Sequence, residues 1–180
     1  MNSCLRSILV LVGGFMLFGV QSCDQYLRSG GARPQQKCEA KWYTDDSRDS
    51  SCYGLQKELT ESVVRGELQS VVSVIESGAN VNGGFDQSIP VLEVAASFGK
   101  TEVVRLLIER GADVNRTRSF GQTALKAAVI GQHPKTTEAL IEKGADVCEK
   151  TEGSALQYAV EVENGDLIAI LEGSGAKSCP

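Results

Sequence analysis

The sequence predicts an all-α fold, a solenoid of short helix pairs, and three observations carry that prediction. The first is a fixed period: Gly78, Gly111 and Gly144 follow one another at steps of 33 residues, and GANVN, GADVN and GADVC recur in register with them. The second is that the same step joins apolar positions, taking Leu92 to Leu125, Ala95 to Ala128 and Leu107 to Leu140. The third is the pattern within one unit, Leu92 to Asn115, whose apolar residues fall on one face of two short helices and stop at a Gly-bounded turn. A period in the range of about 20 to 50 residues means stacked supersecondary units, none of which buries its apolar face alone. Isolated helices below about 12 to 15 residues are marginal, so stacking must supply the core.

Four units follow in order. The first, Leu55 to Asn82, carries Leu59, Val63, Leu68, Val71, Val72, Val74 and Ile75 on helical spacing, and Lys57 and Glu58 at its opening suit an end unit with a soluble outer face. The second, Phe85 to Asn115, opens on Pro90 and Val91, with Glu93 after Leu92. The third, Arg116 to Cys148, opens on Gln122, Thr123, Ala124 and Leu125 and has Lys126 one step on from Glu93. Its two helices are joined through GQHPK, where Pro134 at a helix start sacrifices no hydrogen bond. The fourth, Glu149 to Cys179, is two residues shorter between Gly144 and Ser154 than the third is between Gly111 and Thr123.

The GA(D/N)VN turns, the Leu-x-x-Ala helix openings and the 33-residue step resemble the ankyrin repeat over roughly 125 of the 180 residues. The chain departs from that family's TPLH-like opening, with Glu93 and Lys126 at the histidine position. The resemblance implies an ankyrin-repeat solenoid of four helix-turn-helix repeats over residues 55–180, whose finger loops and inner helices form a concave partner-binding face. Carried onto this chain, the fingers contribute Phe85, Asp86, Arg116, Arg118, Phe120 and Lys150. The inner helices contribute Glu93, Val94, Ser97, Lys126, Ala127, Ile130, Tyr158 and Glu161. Exposed aromatic and Arg side chains in such a concavity are the usual anchors, and Arg116, Arg118 and Phe120 are the expected ones here. Two placements stay open for Phe85 and Phe120, against a partner or folded under their own loops.

The amino terminus reads as an address. Arg6 precedes an apolar run from Ile8 to Val20, the length of a secretory h-region and too short to span a bilayer comfortably, so residues 1–22 are expected to be a signal peptide. The run ends in Val20, Gln21, Ser22 and Cys23, which resembles a bacterial lipobox. That resemblance implies lipidation of Cys23 and anchoring to a membrane, for which more than one acyl chain is needed. The other reading is ordinary cleavage with Cys23 as one more thiol. Asp24 resembles the residue that retains lipoproteins in the inner membrane of enterobacteria. Residues 23–37, with Gly30, Gly31 and Pro34 among polar residues and no periodicity, read as a tether.

With Cys4 in the leader and Cys23 lipidated, Cys38, Cys52, Cys148 and Cys179 remain. An even remainder in an exported chain argues for disulfides, with three possible connectivities. Pairing Cys38 with Cys52 would close a cap over residues 38–54 around Trp42 and Tyr43. Cys148 and Cys179 stand at equivalent positions, four residues after Gly144 and Gly175. Helical layers lie about 10 Å apart, more than the roughly 4.4 to 6.8 Å between Cα atoms that a disulfide tolerates, so that bridge requires the carboxyl-terminal residues to curl back.

The remaining features set aside several functions. Eighteen basic and 23 acidic residues give a net charge of −5, and loss of Arg6 with the leader makes it more negative, a surface that repels phosphate backbones and argues against a nucleic-acid partner. Thiols without C-x-x-C spacing and a single histidine argue against a metal. That histidine, His133, is expected to be a solvated turn residue, and GSG at 173–175 lacks the spacing of a nucleophile elbow. No P-loop, dinucleotide fingerprint or HExxH occurs, so neither catalysis nor a cofactor is expected. Small exported ankyrin lipoproteins resemble bacterial immunity proteins, which implies that this one binds and inhibits a secreted toxin, such as a type VI secretion phospholipase or lipase effector. It would sit as a monomer in a heterodimer, in the periplasm. The competing expectation is a periplasmic scaffold or chaperone for an envelope or antioxidant enzyme.

Overall fold

Apolar residues on helical spacing, interrupted twice per repeat by a left-handed residue, make four helix pairs. The structure, a computed structural model, describes residues 50–84, 89–118, 121–148 and 153–179. The pairs are α1 (Ser50–Arg65) with α2 (Leu68–Glu76), α3 (Val91–Ser97) with α4 (Thr101–Glu109), α5 (Ala124–Ile130) with α6 (Pro134–Glu142), and α7 (Ala155–Glu161) with α8 (Gly165–Gly173). A single 3-10 turn, Ala176–Ser178, follows. Among the described residues there is no strand. Successive first helices pack on one another in the order α1, α3, α5, α7, and the second helices in the order α2, α4, α6, α8. The result is four layers of an all-helical stack. The tether, the leader and Cys38 lie outside the described residues.

Within each pair the chain reverses through a left-handed residue, at Gly66, Gly99, Gln132 and Glu163 in turn. After each second helix it reverses again at Gly78, Gly111, Gly144 and Gly175, where φ runs from 90° to 106°. There the N–H of the following alanine bonds back five residues, Ala112 to the Leu107 carbonyl at 2.9 Å and Ala145 to that of Leu140 at 3.0 Å. This is the glycine-terminated helix end that satisfies otherwise orphaned carbonyls. Side-chain caps begin α5, α7 and α8, where Thr123, Ser154 and Asn164 accept from Lys126, Gln157 and Leu167 N–H respectively. Pro134 begins α6, where its missing N–H has no partner to lose.

The core runs through the stack as columns. Val71, Val104, Leu107, Leu140, Leu167 and Leu171 come from the second helices, and Leu59, Val63, Val91, Leu92 and Leu125 from the first. One column on the first helices is small: Ala95, Ala128 and Ala159 are fully buried at successive layers. In α1 the same position is Ser62, also buried, and its hydroxyl has no partner among the described residues. Leu68, expected among the apolar positions of the first repeat, opens α2 as an exposed residue. Helix α1, at 16 residues, begins at Ser50 and runs unbroken past the position where that repeat was expected to open.

The last layer ends on a covalent link. Gly175, at φ 96°, and the 3-10 turn carry the chain back toward the preceding turn, and Cys179 forms a disulfide with Cys148 at a Cα separation of 5.1 Å. This is the curl that the layer spacing demanded. Cys52 is buried and disulfide-bonded, with its partner outside the described residues.

Candidate partner-binding face and the ties between layers

The edge formed by the Gly-Ala turns is built from one repeated device. Asn82 accepts from the N–H of Asp113 at 2.8 Å and donates to the carbonyl of Gly111 at 3.2 Å. One layer on, Asn115 accepts from Asp146 N–H at 2.8 Å and donates to the Gly144 carbonyl at 3.1 Å. Each amide thereby satisfies one donor and one acceptor of the next turn. Inside each turn the residue two positions before shapes the chain, Asn80, Asp113 and Asp146 accepting from the N–H of Asn82, Asn115 and Cys148. At the head of the column Gln56 of α1 does the same work for the first turn, accepting from Asn80 N–H at 3.1 Å and donating to the Asn80 carbonyl at 3.0 Å.

Beside these turns, the openings of the first helices carry charge. The third residue of a helix points back toward its amino terminus, where the connecting loops lie. Glu93 holds that place in α3, and Arg118, from the loop before α5, reaches across to it. Arg118 Nε lies 3.0 and 3.1 Å from the two carboxylate oxygens and Nη2 2.9 Å from one of them, with the Glu93 side chain 8 % exposed. Lys126 holds the same place in α5, is 1 % exposed, and donates from Nζ to the Gly121 carbonyl at 2.9 Å. The loop from Arg118 to Gln122 is closed by its own bonds, Arg118 N–H to the Gln122 carbonyl and Gly121 N–H to that of Arg118. Glu93 and Lys126 therefore pin one loop from two neighbouring layers.

These contacts change the expected face. Arg118, foreseen as an anchor for a partner, is spent inside the molecule on Glu93, and Lys126 and Ala127, foreseen on the open side, are buried. Val94 is half-buried and packs on the core, as does Tyr158, whose ring closes over Gly153. Arg116 is exposed, Ile130 is 45 % exposed at the end of α5, Ser97 is exposed at the end of α3, and Glu161 is exposed while accepting from Gln157. Phe85, Asp86, Phe120 and Lys150 lie outside the described residues. Phe98, not singled out in the sequence, is 55 % exposed directly after α3. Ile130 corresponds to Ser97 by the 33-residue step, so Phe98 and Ile130 crown the same ends of two stacked helices.

His133 is also placed differently from expectation. It is half-buried, its Nε2 lies 3.0 Å from the Ser97 carbonyl, and its ring lies over Gly99 so closely that a Cβ there would come within 2.6 Å of it. It is an inter-layer contact. Lys100 precedes it by one repeat and lies over Gly66 in the same manner. A cavity of about 160 Å³ is lined by Val114, Asn115, Thr117, Thr123, Leu125 and Asp146. It falls short of the roughly 300 to 1,000 Å³ of ordinary small-molecule sites.

What this surface can do chemically is hold another protein: open apolar side chains on a rigid stack, with polar and charged residues around them. The asparagine column escaped the sequence reading as a function, although its recurrence every 33 residues was in view. The search of the curated proteins finds no match. The family model described as ankyrin repeats, in three copies, matches residues 92–178, which takes in the helix pairs from α3 to α8 and leaves α1 and α2 before it. Over that span the chain is similar to ankyrin repeats, which in general serve as protein-interaction modules.

Proposed function

We propose that this protein is an exported, lipid-anchored and non-catalytic inhibitor that covers the active-site entrance of a protein toxin arriving at a bacterial membrane. The toxin that suits it best is a phospholipase or lipase effector of a type VI secretion system, held one to one. The observation that carries the reading is the open ends of the stacked first helices, where Phe98 and Ile130 present apolar area on a rigid scaffold. An inhibitor of this kind needs no chemistry. It needs an interface of roughly 1,200 to 2,000 Å² with a few buried anchors. The disulfide between Cys148 and Cys179 supports an oxidising compartment, as the leader and VQSC at 20–23 do.

The test is to express the effector encoded beside this gene in the periplasm of a sensitive host, with and without this protein, and to follow growth. Protection is expected from the wild type and its loss from Phe98→Asp with Ile130→Asp, two exposed positions whose substitution leaves the thermal midpoint in place. Full toxicity in the presence of well-expressed wild type would end the inhibitor reading. Protection unchanged by the double substitution would move the face elsewhere.

A further inference from the structure

The polar ties that bind the second layer to the third are missing at the corresponding places between the third and the fourth. Between the second and third layers, Thr101 bonds Thr136 at 2.8 Å, Arg105 bonds Glu142 at 2.9 Å, Lys143 meets Glu109 at 3.4 Å, and His133 reaches the Ser97 carbonyl. Asn115 then binds the third turn as described. The fourth repeat is two residues shorter, so the equivalent step there is 31. It puts Leu167 at the place of Thr136, Gly173 at that of Glu142, Ser174 at that of Lys143 and Asn164 at that of His133. Leu167 is buried, Gly173 and Ser174 have no charge to offer, and Asn164 caps its own helix by accepting from Leu167 N–H at 3.2 Å. At the place of Asn115 stands Cys148, and at the end of the same step stands Cys179, its disulfide partner.

We propose that the Cys148–Cys179 disulfide is a redox-sensitive latch on the last helix pair. Oxidised, it holds the fourth layer where the preceding layers are held by asparagine. A dithiol that attacks it forms a mixed disulfide and then its own cyclic disulfide, which leaves two protein thiols, two electrons and two protons having passed from reductant to protein. In the reduced chain the fourth layer keeps its apolar burial at Ala155, Ala159, Leu167 and Leu171 but loses its tie along the turn edge. Repeat arrays open layer by layer when one interface is weak, so α7 and α8 open while α3 to α6 stay closed. Tyr158 and Glu161 travel with that layer, and any change in partner affinity on reduction rests on the inhibitor reading above; the latch itself does not.

Amide hydrogen exchange read by mass spectrometry tests the latch on the protein alone. In Cys148→Ser with Cys179→Ser, amides of residues 155–173 are expected to exchange on the order of 100-fold faster than in the wild type, the loss expected of a released loop of this size, with residues 91–142 unchanged. In Cys148→Asn with Cys179→Ser, much of the protection is expected to return, because the new amide faces the Gly175 carbonyl and Lys177 N–H as Asn115 faces Gly144 and Asp146. Wild type treated with dithiothreitol repeats the first result without substitution. Unaltered protection of residues 155–173 in the serine variant would overturn the proposal. So would an equal loss across residues 91–142 on reduction, which would mean that the stack opens as a whole.

Discussion

Two neighbouring rows of residues in this stack, the turns and the openings of the first helices, solve the same problem with different chemistry. Along the turn edge, Gln56, Asn82 and Asn115 each satisfy a backbone donor and a backbone acceptor of a turn, the asparagines doing so for the layer that follows. Along the row where the first helices open, the equivalent residues differ from layer to layer: Glu93, Lys126 and Gln157. Backbone groups recur identically in every repeat, so a side chain that serves them can recur as well. The residues at the helix openings serve loops that differ from layer to layer and have no such constraint: Glu93 with Arg118, and Lys126 with the Gly121 carbonyl, are solutions peculiar to their layers. The lesson is that the repeated row sets register and spacing, while the unrepeated row shapes the loops individually.

The sharpest way to break this comparison is to remove one side of the unrepeated pair. Arg118→Ala leaves the Glu93 carboxylate buried without its fork, and a loss of about 2 to 4 kcal/mol is expected by chemical denaturation, below the fully buried case because Arg118 is about one-third exposed. Combining it with Glu93→Gln should return part of that loss; no recovery would mean that the cost lies in loop packing. In the repeated row, Asn115→Ala removes one donor and one acceptor and is expected to cost about 1 to 2 kcal/mol, with Asn82→Ala costing the same. A clear inequality between the two would show that the layers are not equivalent along this row.

Two substitutions should raise stability by making one layer resemble the others. Ser62→Ala gives α1 the residue that α3, α5 and α7 already have, relieves an unpartnered buried hydroxyl, and is expected to gain about 1 kcal/mol in a denaturation midpoint. Gln132→Gly puts glycine at φ 58°, as at Gly66 and Gly99. Relief of a left-handed conformation, about 1 to 2 kcal/mol, exceeds the roughly 0.4 to 1 kcal/mol that a freer unfolded chain takes back, so a small net gain of about 0.5 kcal/mol is expected. A fall in thermal midpoint would count against it.

The smallest effect concerns Glu67, at the start of α2. Arg65 donates to its carboxylate at 2.9 Å, and Ser70 at 3.0 Å, which together hold its pKa below the usual carboxylate value. A depressed folded-state pKa stabilises above the unfolded value and ceases to do so as the pH falls through the folded one. Because the group is exposed, the consequence is best read at the residue itself. In Arg65→Gln the Glu67 titration midpoint, followed by carboxyl NMR, should rise toward the ordinary carboxylate value; an unmoved midpoint would assign the shift to Ser70 alone.

The sequence by itself determined the period, the number of helix pairs, the glycine-terminated turns and the apolar columns. These follow from local chemistry: helical spacing, the left-handed freedom of glycine and the fixed φ of Pro134 act on neighbours in the chain. The recurrence of Asn82 and Asn115, broken at Cys148, was also legible as a pattern, though not as a column of ties. Only the tertiary structure decided which charges stay open to a partner. Arg118 and Glu93 are 25 residues apart and face each other because one layer stacks on the next, and Lys126 is buried by the loop it holds. His133 became an inter-layer contact rather than a solvated turn because Gly99 and Gly131 leave room for its ring. Periodicity locates residues along one repeat, but exposure is set by the repeat beside it, through contacts that no single repeat contains.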